Sequence, residues 1–61
     1  MTLTQKEQSL LQDAMEYEKI CIAKYNTYSN QLQDPQLQNL FQGLAQKEQE
    51  HYNKIQQLLQ G

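Results

Sequence analysis

The sequence has no arginine and no tryptophan, one cysteine, one proline and two glycines among 61 residues. Each scarcity closes a route. Cys21 has no second cysteine to pair with, so no disulfide can staple the chain. Five lysines against seven acidic residues leave a net charge of −2. No basic stripe exists to neutralise phosphates, which excludes nucleic acid as a partner. No apolar run approaches the ~20 residues that span a bilayer, so no membrane partner is expected. The polar start, MTLTQKEQSL, has no hydrophobic leader segment. A soluble, cytoplasmic protein is expected. Residues 1–61 make one small domain, too short for a nucleotide-binding α/β fold, a sandwich or a barrel.

With glycine and proline so few, what remains is helix-forming. Glutamine, a fair helix former, occupies 13 positions. Thr4-Gln5-Lys6-Glu7 reads as a capping box that opens a helix near residue 5. Asp34-Pro35 reads as the N-cap and first turn of a second helix. Two helices are expected, about 5–32 and 35–59. The two- or three-residue link between them makes them antiparallel neighbours. Apolar content is only 38% and mean hydropathy is −0.91, so a chain this small needs a metal or a partner chain to stabilise it.

A stripe at 3-4 spacing runs through Leu11, Ala14, Glu18, Cys21, Tyr25, Tyr28 and Leu32 on the first helix. On the second it runs through Leu37, Phe41, Leu44, Glu48, His51, Ile55 and Leu58, widened by Leu10, Ala45, Tyr52 and Leu59. None of the glutamines or lysines falls on these 14 positions. The polar departures from the stripe are therefore informative: Glu18, Glu48 and His51. Glu16 and Glu50 fall on the outer face and read as solvated. Gly43, inside the second helix, reads as a close helix approach or a weak point.

In an antiparallel hairpin, residues equidistant from the turn lie side by side. Glu18 lies about as far before the turn as the midpoint of Glu48 and His51 lies after it. Glu48 and His51, three apart, project from one helix face. One hairpin thus offers two carboxylates and one imidazole, and it leaves part of its stripe uncovered. A two-fold dimer would complete a four-helix bundle and assemble four carboxylates and two imidazoles. Those four negative charges balance two divalent cations, and without metal they would repel in a low-dielectric core. Oxygen and imidazole donors suit iron or manganese, and zinc can compete.

Glu18-Lys-Ile-Cys-Ile-Ala-Lys-Tyr25, with Ala45-Gln-Lys-Glu48-Gln-Glu-His51, resembles the helix pair of the ferritin-like superfamily. It looks most like rubrerythrin and the two-helix encapsulated ferritins, over roughly residues 4–59. The stretch from Asp34 to His51 also resembles short spore-coat-F-like proteins of clostridia and bacilli. The resemblance implies an all-α, antiparallel two-helix hairpin that dimerises into a ferritin-like four-helix bundle. It implies two iron ions per dimer held by Glu18, Glu48 and His51, with Tyr25 behind the ligands as hydrogen-bond partner of a ligand carboxylate. The implied activity is Fe(II) oxidation by dioxygen or peroxide, a ferroxidase-type reaction. Implied partners are further copies of the chain in a homodimer or higher homo-oligomer, and a shell or coat protein. The alternative is a spore-coat-like structural protein that retains the fold, located in a spore coat or inside a protein compartment. The chain departs from rubrerythrin in lacking its extra ligand helix and rubredoxin-like cysteines, and from encapsulated ferritin in lacking its shell-addressing extension.

Overall fold

Thr4 opens the first helix with both halves of a capping box. Its hydroxyl accepts from the Glu7 amide at 3.0 Å, and the Glu7 carboxylate accepts from the Thr4 amide at 2.9 Å. A computed structural model describes residues 2–60; Met1 and Gly61 lie outside it. Helix α1 spans Gln5–Gln31 and helix α2 spans Pro35–Gln60. Helix α1 stops at Leu32, whose backbone turns extended and whose N–H still donates to the Tyr28 carbonyl at 3.1 Å. Asp34 then caps α2, its carboxylate accepting from the Gln36 and Leu37 amides at 2.8 and 3.4 Å. Pro35 sits in the first turn, where no intrahelical amide donor is needed.

The two helices lie against each other as a hairpin of 46 × 15 × 10 Å. A polar latch holds the turn end. The Ser29 hydroxyl, 3% exposed, donates to the Gln38 carbonyl at 3.1 Å, and the Gln38 side-chain amide donates to the Leu32 carbonyl. Above it, the Phe41 ring meets Tyr25 at 5.9 Å and Tyr28 edge-on at 5.7 Å. No described helix is long and apolar enough to cross a membrane.

The buried seam is turned slightly from the expected stripe. It runs through Leu11, Met15, Glu18, Ile22, Tyr25, Ser29 and Leu32, and through Gln38, Phe41, Ala45, Glu48, Tyr52, Ile55 and Leu59. Tyr28, Leu37, His51 and Leu58, expected on the seam, are exposed on its flank. Ala14, Cys21 and Leu44 share that flank and are only half-buried. The reason is geometric: two helices bury one 3-4 row each, and the broader apolar sector is left open on one side. Among the described residues only Ala45 and Ser29 are buried, and no large side chain is fully buried. Gly43 does not mark a close helix approach within the hairpin, because a Cβ added there would meet nothing within 4 Å.

Candidate metal centre

Glu18 and Glu48 enter the seam from opposite helices, at positions where the 3-4 row otherwise carries apolar side chains. Their side chains are 20% and 21% exposed, while His51, on the flank beside them, is 57% exposed. The His51 ring turns its Nδ1 toward both carboxylates, 3.4 Å from Glu48 Oε1 and 3.8 Å from Glu18 Oε2. One donor atom from each of the three residues lies within 4.8 Å of the other two. The equal distance of these residues from the turn brings them to one level, and the three-residue separation of Glu48 and His51 aligns them on one helix.

The electrostatics of the cluster are unrelieved. Glu18 Oε2 is shielded from solvent and has no hydrogen-bond partner; at 3.8 Å, Nδ1 is too distant to donate to it. The Glu18 carboxyl is pushed above its ordinary value of 4.5. The neighbouring Glu48 carboxylate, able to share its proton, is the main cause; burial and the Glu48 charge add to it, and His51 opposes. An unpartnered, shielded carboxylate oxygen facing a second carboxylate and an imidazole nitrogen fits a cation with oxygen and nitrogen donors. The donor set carries no thiolate: Cys21 is a free, half-buried thiol one turn along α1.

Tyr25 lies two turns from Glu18 in the same row, with its ring on Phe41. Among the described residues no hydrogen bond joins it to Glu18, Glu48 or His51. Tyr52, which follows His51, turns the other way and lies under the Lys19 ammonium, 5.9 Å from its ring centre. Glu50 points outward, 69% exposed, with Lys47 at 3.8 Å. The side chains that frame the cluster from within the seam include Met15 and Ile22. They were legible in the sequence as a second 3-4 row, one position along from the expected one.

The rubrerythrin family model matches residues 2–61. No curated protein and no solved structure matches significantly.

Proposed function

Since the chain belongs to the rubrerythrin family, whose members are ferritin-like di-iron proteins, we propose that two copies form a four-helix bundle with a dinuclear iron site between them. The proposed activity is ferroxidase-type: iron would supply the redox chemistry, Fe(II) passing electrons to dioxygen or peroxide, and the protein would supply geometry and charge. The observation that carries this reading is the convergence of Glu18, Glu48 and His51 within 4.8 Å, with an unpartnered Glu18 oxygen among them.

The exposed flank supports the dimer. Leu37, Leu44, His51 and Leu58 form one row at seven-residue spacing, and Ala14, Cys21 and Tyr28 form another beside it. A folded monomer of this mass would expose about 4,100 Å² by the usual scaling, against 4889 Å² for the hairpin. The excess is close to the ~800 Å² that each partner buries in a standard interface. Covering this flank would also enclose the exposed His51 ring with the two carboxylates. Each residue then has a distinct task. Glu18 and Glu48 would bind cations and offset their charge, and Glu18 must first release the proton its surroundings favour. His51 must be neutral to donate its lone pair. The apolar flank would exclude bulk water and so strengthen every charge interaction in the site. Manganese or zinc could occupy the same donors.

The test is aerobic oxidation. Protein loaded anaerobically with Fe(II) and mixed with oxygen should develop the near-ultraviolet absorbance of Fe(III) faster than buffer. Glu48→Ala, which removes two of a dimer's six donors, should abolish it. His51→Ala should weaken metal binding more than folding, because it deletes a neutral donor. Glu50→Ala should oxidise iron at the native rate. Native rates in all three variants would refute the activity and favour the spore-coat-like structural reading, in which the same fold serves only for packing.

A further inference from the structure

A single hairpin already brings together the donors for one divalent cation. Glu18 comes from α1, Glu48 and His51 from α2, and their donor atoms lie within 4.8 Å of one another before any partner is added. The short turn sets their common height, and the seam between the helices holds both carboxylates half-buried. No second copy is needed for either.

The spacing suits one ion. In four-coordinate geometry, metal–oxygen and metal–nitrogen bonds of about 2.0–2.2 Å set neighbouring donors about 3.3–3.6 Å apart. Octahedral bonds of about 2.0–2.1 Å would set them about 2.9 Å apart. His51 Nδ1 lies 3.4 Å from Glu48 Oε1 and 3.8 Å from Glu18 Oε2, nearer the four-coordinate spacing. The charges close at the same count. Two carboxylates offset one divalent cation, and the imidazole is neutral when it donates its lone pair. Lysines do not take the cation's place. Lys19 pairs with Glu16 at 3.6 Å and lies over Tyr52, and Lys47 pairs with Glu50 at 3.8 Å. Among the described residues no lysine pairs with Glu18 or Glu48. His51 is 57% exposed, so one side of the cluster is open to solvent.

We propose that the unpaired hairpin is a complete mononuclear site for a four-coordinate divalent ion of the zinc class, held by Glu18, Glu48 and His51 with water in the fourth position. Three protein donors and an exchangeable water make an open site, where a structural zinc site would be closed by a fourth side chain. The proposal rests on the metal-binding reading above, but not on the dimer or on iron oxidation. It sets an order of events. Each chain takes its ion through the open His51 edge, and pairing then joins two neutral halves, whereas two empty halves would bring four carboxylates together. Metal choice is thereby made at the stage of the single chain, where zinc competes with iron for the same three donors.

Co(II) is the probe, because its visible bands are intense in four-coordinate sites and weak in octahedral ones. Leu37→Asp combined with Leu58→Asp keeps the chain unpaired. Both side chains are exposed in the hairpin, at 42% and 37%, and lie about two turns or more from the donors. Sedimentation confirms the monomer and circular dichroism its helicity. Should the double variant not be helical, native chain diluted until sedimentation shows monomer gives the same readings. The monomer should take one Co(II) per chain with intense bands that Zn(II) abolishes, and its melting gain with metal should not depend on protein concentration. Glu18→Gln in this background should remove the bands, because it deletes the α1 donor. Glu50→Gln should bind as its parent does. A monomer that binds no Co(II) at submillimolar concentration, where native dimer does, overturns the proposal and leaves the dimer-built centre standing. Native protein that binds none removes the metal-binding reading and this proposal with it. Weak octahedral bands overturn the proposal, as does binding unchanged by Glu18→Gln, which would reduce the site to the Glu48–His51 pair on one helix. One ion per chain in a native protein that never dimerises supports it and removes the dinuclear centre.

Discussion

Glu18→Gln separates the two demands that the candidate centre makes on one residue. In the metal-free protein the Glu18 carboxyl holds its proton more tightly than in the unfolded chain, so the folded state binds more protons. Its contribution is greatest below pH 4.5 and falls as pH rises toward the raised folded value. Above that value the folded state carries the full cost of the ionised group. A glutamine there is neutral at every pH and can donate to Glu48. The metal-free variant should therefore melt higher than native protein at pH 7, and the difference should vanish in acid. Metal reverses the order. Free metal at a hundred times its dissociation constant adds about 2.7 kcal/mol to a native state that alone binds it. At 4–8 °C per kcal/mol for a domain of this size, native protein should gain roughly 10–20 °C. Mn(II) avoids oxidation during the scan, and protein concentration must be held constant because an associating chain melts in a concentration-dependent way. Glu18→Gln, with a neutral donor in place of a carboxylate, should lose most of that gain. Thermal scans by circular dichroism with chelator and with Mn(II), at pH 4 and pH 7, give all four values. A variant that melts below native without metal at pH 7 refutes the electrostatic argument, and one that gains as much as native with Mn(II) refutes the ligand assignment.

Two further outcomes are expected. Leu37→Asp changes a side chain that is 42% exposed in the hairpin and adds an acid to the first turn of α2, where the helix dipole favours it; sedimentation should show loss of the apolar-flank dimer with helicity retained, and unchanged association would mean that the flank is not the interface. Gly43→Ala fills open space on an exposed helix and should raise stability by about 0.5–1 kcal/mol in a denaturant titration; a loss would show that another chain approaches the backbone there.

Most of the hairpin was legible because its determinants are local. Thr4 with Glu7 and Asp34 with Pro35 are start signals that satisfy orphan amides within one turn, and nothing between Thr4 and Asp34 can break a helix. The candidate site was legible for a related reason. A short turn makes height a matter of counting, and counting puts Glu18 beside Glu48 and His51. Which apolar row each helix buries was not decided locally. Two adjacent 3-4 rows compete on each helix, one through Ala14, Cys21 and Tyr28 and the other through Met15, Ile22 and Ser29. Residue types favour the first, because Ser29 and Gln38 look like surface residues. Tertiary structure decided for the second. At the turn, Ser29 and Gln38 satisfy each other's helix across the interface, so burying them leaves no lost hydrogen bond. The small side chain of Ala45 is buried on the facing helix. That choice rotates His51 out to the flank while Glu18 and Glu48 remain inside. The sequence alone determined two helices, their antiparallel pairing and the level of the three ionisable residues. Only packing decided that the carboxylates would be enclosed and the imidazole left at the open edge, because the orientation of a helix about its own axis depends on what the other helix offers it.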